Sequence, residues 1–379
     1  MSRAVAITGI GMITPLGKTA PEVWAKLARG ETAHAPPGSF DAAAFACPWC
    51  AEVKDFQPEL YTREPKMLRL MNRDSQLAVA AAHLALADAE LRIGVDYPPE
   101  AVALFGATGT AGMPLGEIGG LIRSSVSPTG QFDPMRFGQE GLRAINPLLS
   151  FKILSNMPVC FVSISENIQG PNAIYTPWEG QGAQAIDAGR RAILRGEVPC
   201  ALVGGCDVKT HDQAFLTLEQ QGWFEPWKQG QIGPVPGEGA VFLVLEAEAQ
   251  ARARGARCHA RLAGQGFATR FPGESLTEAC AAVLRQGLGT PPAAARILIS
   301  AADGNAATEQ AEVFALASQP GPPAEKIIRP KCQAGNLFAA AAAFQVGLGA
   351  WLAGQEHGRV QAHCFGHGSE QAAFRLEAP

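Results

Sequence analysis

The feature that most constrains this chain is an alternation repeated along its length. A short, uninterrupted apolar run stops at glycine or threonine, and an alanine-rich helical stretch lies before or after it. "AVAITGIG" (4–11) leads to "EVWAKLARG" (22–30), a helix ended by Gly30. "SQLAVAAAHLALADAEL" (75–91) leads to "AVALFGATGTAG" (101–112). "NAIYT", "AQAIDAGRRAILRG" and "CALVGGCDV" make a strand–helix–strand unit across 172–208, and "AVFLVLEAEAQARARG" (240–255) runs from strand into helix. "ARILISAADG" (295–304) and "IRPKCQAGNLFAAAAAFQVGLGAWLAG" (328–354) continue the pattern. Strands apolar on both faces belong to parallel or mixed sheets covered by helices, and alanine lets those helices pack closely. The expectation is an α/β body layered α/β/α/β/α. Pro/Gly-rich breaks at 34–38, 290–292 and 319–323 read as loops, because periodic structure resumes at once.

Composition narrows the function classes. Over 379 residues, 47% hydrophobic and 17% charged content supports a substantial core and excludes disorder. A net charge of −4 gives no basic footprint for nucleic acid. The longest apolar candidate for a membrane span, Leu337 to Leu352, is alanine-rich and interrupted by Gln345. The start "MSRAVAITGIG" lacks the basic-then-apolar layout of a signal peptide, so a cytoplasmic protein is expected. Nine cysteines show no framework spacing. Cys47 and Cys50 form a lone C-x-x-C, read as two free thiols.

One stretch raises a question of chemistry. "YTPWEGQGA" (175–183) breaks at proline and delivers a single carboxylate, Glu179, into a glycine-rich turn before a helix. The surrounding blocks resemble β-ketoacyl synthases, the condensing enzymes of fatty-acid and polyketide assembly. They are "VAITGIGMITPLG" with Trp24 and Gly30, "KILSNMP" (152–158), "GPNAIYT" (170–176), "VGGCD" (203–207), "PGEGAVFLVLE" (236–246) and "CFGHGSEQAAF" (364–374). Each is weak alone; six in family order are specific. The resemblance implies the thiolase-like fold, with two similar halves (1–245 and 246–379) in five layers. It also implies dimerisation edge to edge through the strand around Asn172 to Tyr175.

The same resemblance implies where catalysis should sit, and there this sequence departs from the family. The family's nucleophilic cysteine falls on Glu179. Its first catalytic histidine, in an N-A-H-G-T block, falls on Asp303 of "AADGN". Its second, after K-S-x-x-G, falls on Asn336 of "KCQAGN", which keeps Lys331 and Gly335. Two threonines that hold the phosphopantetheine arm become Asn305 and Ala307. Condensation needs a thiolate to carry the acyl chain and imidazoles to stabilise an enolate, and an anion beside that enolate opposes it. The resemblance thus implies a non-catalytic subunit similar to the chain-length factors of type II polyketide and aryl-polyene systems. Such a subunit pairs with an active ketosynthase, shapes its acyl tunnel and meets acyl carrier protein through that partner, with no cofactor or metal. Met113, Leu115 and Phe365 are the tunnel or gate candidates. The alternative is a repurposed decarboxylase, hydrolase or cyclase using Glu179 and Asp303 as acid and base. Glu179 could equally pair with Lys331 or cap its own helix.

Remaining motifs carry less. "FGATGTAG" (105–112) lacks G-K-[ST] and reads as a strand-to-helix turn. His363 and His367 read as two loop histidines near the site rather than metal ligands. "ARARGARCHAR" (251–261) reads as a solvated helix end and strand start, on which an acidic carrier could dock. The chain also looks shortened after "GQGFATRFPGES", where the family borders its pantetheine entrance, which suggests that this subunit receives no carrier arm itself.

Overall fold

The computed structural model describes residues 4–379 except 63, 111–114, 288–294, 321 and 357, and the side chains of 117, 150, 287 and 356. Ten strands form one hydrogen-bonded sheet. They are β1 (Val5–Ile13), β2 (Val102–Thr108), β3 (Asn172–Tyr175), β4 (Cys200–Val208), β5 (Glu238–Ala247), β6 (Ala260–Thr269), β7 (Ile297–Ile299), β8 (Lys326–Ile328), β9 (Arg359–Cys364) and β10 (Glu370–Glu377). Their order is β8-β7-β9-β10-β6-β1-β5-β4-β2-β3.

That order is one motif used twice. In each set of five the first strand runs antiparallel to the fifth, the fifth antiparallel to the fourth, the fourth parallel to the second, and the second parallel to the third. Among the described residues the two sets are hydrogen-bonded to each other where β1 pairs with β6, through Ala6 with Arg261 and Ile7 with Ala260. Helices α1 (Arg73–Asp88) and α2 (Met157–Glu166) cover the outer face of the first set. Helices α3 (Glu179–Arg195) and α4 (Ala341–Glu356) pack together between the two sets, in the largest apolar core. Helices α5 (Leu276–Gly287) and α6 (Ala306–Ala317) cover the other outer face. The five layers expected from the sequence are present. Among the described residues no helix is long and apolar enough to cross a membrane.

Small residues set the layer spacing. A Cβ on Gly11 would lie 1.9 Å from the Ala81 carbonyl oxygen, and one on Gly9 would lie 2.2 Å from that of Ala85. Helix α1 therefore rests directly on the backbone of β1, and its alanines are what permit it. A buried network ties the same strands at their far end. Glu246 accepts from the Thr8 hydroxyl (2.5 Å), the Tyr97 hydroxyl (2.7 Å) and both arms of Arg254 (2.6 and 2.8 Å). Arg254 lies inside the basic run 251–261, and Arg261 and His259 of that run pair with Glu248 and Asp88. The run is the helix end and strand start that the sequence suggests, with Arg252 and Arg257 exposed, but it is only partly solvated: Arg254, His259 and Arg261 anchor neighbouring elements, and Glu246 of β5, fully buried, is a carboxylate that needs its partner.

Gly11→Val should lower the unfolding free energy by about 3 kcal/mol, since α1 cannot withdraw without opening the core. Urea titration followed by circular dichroism would read this, and an unchanged midpoint would refute the contact.

Candidate functional site

Four elements from distant parts of the chain deliver one buried cluster. Glu179 is the first residue of α3, held in place as Trp178 donates its backbone N–H to Gln181 Oε1 (2.9 Å). Lys331 opens a single helical turn, Lys331–Ala334, after β8. That turn ends at Gly335 with φ +77, where a Cβ would also strike that of Ala51 at 2.6 Å, so glycine is required. The chain then places Asn336. Asp303 follows β7, and His367 lies in the loop between β9 and β10. A Cβ on Gly182 of α3 or on Gly205 of β4 would lie within 2.6 Å of the Ala339 carbonyl, so missing side chains let the Asn336 segment approach Glu179.

The hydrogen bonds close on themselves. Lys331 Nζ lies 3.1 Å from Glu179 Oε1 and 4.0 Å from Asp303 Oδ2, and donates to the Phe365 carbonyl at 3.3 Å. Asn336 Nδ2 donates to Glu179 Oε1 (2.7 Å) and Asp303 Oδ2 (3.0 Å), while its own Oδ1 accepts the Phe338 N–H (2.9 Å). Glu179 Oε2 accepts the His367 backbone N–H (2.9 Å), and the His367 ring nitrogen Nε2 is 3.4 Å from Asp303 Oδ2. Side-chain exposure is 0% for Lys331 and Asp303, 3% for Glu179 and 22% for His367.

Electrostatics follow from this packing. Burial alone would strip the charge from Lys331, yet the facing carboxylates of Glu179 and Asp303 raise its pKa above the usual lysine range. Burial would raise Asp303, but the Lys331 ammonium and then His367 hold its carboxyl below the usual range. Burial works against a charged His367 too, and Asp303 overrides it, raising the imidazole above its ordinary value. Two carboxylates thus face one ammonium and one histidine whose protonated form Asp303 favours.

Aromatic rings cover it. The Trp223 ring lies 3.9 Å from that of His367, 4.8 Å from Phe338 and 6.1 Å from Trp178 in a near-parallel stack. A cavity of about 320 Å³ beyond them is lined by Trp178, Gln221, Gly222, Trp223, Asn305 and His367. Of the cluster only His367 reaches it.

The residues singled out by sequence divide accordingly. Glu179, Asp303, Asn336 and Lys331 come together. Asn305 caps α6, accepting from the N–H groups of Ala307 and Thr308. Phe365 is 1% exposed and belongs to the outer core of the second set. Leu115 is exposed at the start of the helix Leu115–Ser124, and Met113 lies outside the described residues. His363 is not a loop residue: it sits in β9, fully buried, with Nδ1 2.6 Å from Glu312 Oε1. Only His367 belongs to the loop, and its role in the cluster went unseen. The one signal for it was a bulky histidine between two glycines. Cys47 and Cys50 are buried and unbonded, with burial pushing their thiols up to about 11 and about 12. Among the described residues no group of acidic, histidine and cysteine side chains could hold a metal.

Repeated five-strand sets around a buried site at the start of a central helix define a thiolase-like ketosynthase fold. A sequence profile for the β-ketoacyl synthase N-terminal domain matches residues 2–251, and the chain belongs to that family. It is 29% identical over 276 residues to the 3-oxoacyl-(acyl-carrier-protein) synthase 2 of Coxiella burnetii, covering 70% of this chain and 63% of that one; the chain thus spans less than two thirds of its relative's length. The solved ishigamide ketosynthase/chain length factor superposes with a TM-score of 0.84 at 24% identity, covering all of both chains. A type II polyketide acyl-carrier protein in complex with its ketosynthase bound to the hexaketide matches with a TM-score of 0.77 at 17% identity, again over all of both chains. These two likenesses speak for the fold.

Lys331→Met should cost about 3–5 kcal/mol, because two buried carboxylates lose their cation. Adding Glu179→Gln should recover part of that loss, a coupling that thermal or urea denaturation of the four-variant cycle would read. Additive losses would refute the pair. For His367 the folded pKa lies above the unfolded one. Its contribution is therefore full below the ordinary histidine value and is lost as pH rises through the raised one. Unfolding free energy measured between those values should slope downward with pH, and His367→Gln should flatten that slope.

Proposed function

We propose that this chain is a cytoplasmic, catalytically silent subunit of the chain-length-factor kind. It pairs with an active β-ketoacyl synthase and closes the far end of its acyl tunnel in polyketide, aryl-polyene or fatty-acid-like synthesis. One observation carries the reading: the donors of Lys331 and Asn336 that could face a substrate are turned onto the protein's own carboxylates, Glu179 and Asp303. An enolate arriving there would meet two anions, and the imidazole at hand, His367, is turned to Asp303. The repurposed-enzyme alternative fares worse. The carboxylates face each other across Asn336 and Lys331, not an open cavity, and Asp303 is held too acidic to trade protons near neutral pH.

Two features support a partner. Strand β3 is the end of the sheet, laddered on one side only, by β2. Exposed apolar side chains crowd the stretch before it, among them Ile122, Phe132, Met135, Leu154 and Ile164. An open strand edge and exposed apolar side chains are each a liability unless covered. The interface proposed here is obligate in size, above roughly 2,000 Å². Acyl carrier protein reaches the assembly through the active partner.

Purified alone with acyl and malonyl carrier proteins, the chain should give no condensation product. Glu179→Cys should not restore it, because Asp303 and Asn336 remain. Native mass spectrometry of the chain co-expressed with an intact synthase should show a one-to-one complex; a stable monomer indifferent to the synthase would defeat the partner role. In the reconstituted pair, Met113→Ala or Leu115→Ala should lengthen the product by about two carbons, the volume opened by the lost side chain. Unaltered product length would remove both from the tunnel end.

A further inference from the structure

A second cavity, of about 540 Å³, shares no lining residue with the Glu179 cluster. It opens between the Gly38–Ser39 loop, the first turn of α1 and the ends of β4 and β5, with Glu52, Arg73, Asp74, Lys152, His211 and Glu238 among its walls. Most of its buried polar groups are already satisfied. Glu238 accepts two bonds from Arg73 (2.5 and 2.7 Å), one from the Thr210 hydroxyl (2.8 Å) and one from the Val53 N–H (2.8 Å). His211 Nδ1 accepts the Ala214 N–H at 3.3 Å. Glu52 accepts the Gly38 N–H at 3.0 Å.

Asp74 is the exception. It is 8% exposed and lines the cavity, yet among the described residues its carboxylate accepts no hydrogen bond from another residue and forms no ion pair. Burial, followed by the nearby Asp207 carboxylate, pushes its pKa up to about 7, with Lys209 opposing and Glu238 adding to the rise. Among the described residues the one donor to Asp74 is its own backbone N–H, and a buried carboxylate with acceptor capacity left unfilled is a cost that a ligand can relieve. The walls choose the ligand's sign. Glu52, Asp74 and Glu238 stand against Arg73 and Lys152, while burial and Lys209 keep His211 neutral, its pKa lowered to about 4. An ionised Asp74 therefore leaves one negative charge in excess.

We propose that this cavity is a binding site for a small primary amine, whose ammonium group donates to the Asp74 carboxylate. Asp74 is a binding residue here, and the site is independent of the silent-subunit reading.

Isothermal titration of the full chain with n-butylamine, and with 1-butanol and butyrate as neutral and anionic counterparts, tests it. At pH 8 butylamine should bind measurably below about 10 mM, and the other two should not. Because the amine needs the ionised carboxylate, its affinity should fall roughly tenfold between pH 8 and pH 6, following one group titrating near 7. Asp74→Asn keeps the shape and removes the charge, and should abolish butylamine binding. No butylamine binding at pH 8, equal binding of butanol, or affinity independent of pH would each overturn the proposal on the unaltered chain. Undiminished binding by the folded Asp74→Asn variant would overturn it as well.

Discussion

The Lys331 ammonium, wholly out of contact with water, is the charge on which the site depends. An unpaired ammonium at that depth would cost several kcal/mol, so the chain must bring acceptors to it, two of them anionic. It does so from three directions: Glu179 at the start of a central helix, Asp303 after a strand of the second sheet set, and the Phe365 carbonyl from the loop between β9 and β10. The same loop donates a backbone N–H back to Glu179, and its histidine faces Asp303. The cluster acts as a lock joining both halves of the body.

In the proposed reading, that lock is what makes an enzyme-like fold silent. The start of α3 favours a negative group through its free N–H ends, and a cysteine there would be activated. A glutamate takes the same stabilisation but is a poor acyl acceptor. Its second oxygen occupies a backbone N–H of the C-terminal loop, and Trp223 is laid across His367. On that reading, the positions proposed to have bound a reacting substrate are filled by the protein's own side chains.

Much of this was legible in the sequence, for identifiable reasons. The layered fold follows from apolar strands and alanine-rich helices, whose periods are local. Glycines at 9 and 11 lie within an apolar strand, and their reason, α1 resting on β1, became visible only in three dimensions. Glu179, Asp303, Lys331 and Asn336 could be picked out because each sits in a recognisable block, but nothing local says that they share hydrogen bonds. His367 could be placed near the site but not bonded into the cluster, and Trp223 did not stand out, because their roles arise from contacts between segments about 145 residues apart. In the basic run at 251–261 the helix end and strand start were legible but the anchoring role of Arg254, His259 and Arg261 was not, because their partners, Glu246, Asp88 and Glu248, lie outside the run.

Decarboxylation isolates the central claim, because it needs stabilisation of the enolate but no acyl transfer to a nucleophile. Purified chain would be incubated with malonyl-carrier protein carrying a labelled free carboxyl group, and released carbon dioxide counted. A site whose donors are committed to Glu179 and Asp303 predicts release no faster than the carrier protein alone. Release above that background, abolished by Lys331→Met or Asn336→Ala in a folded protein, would contradict the silent reading.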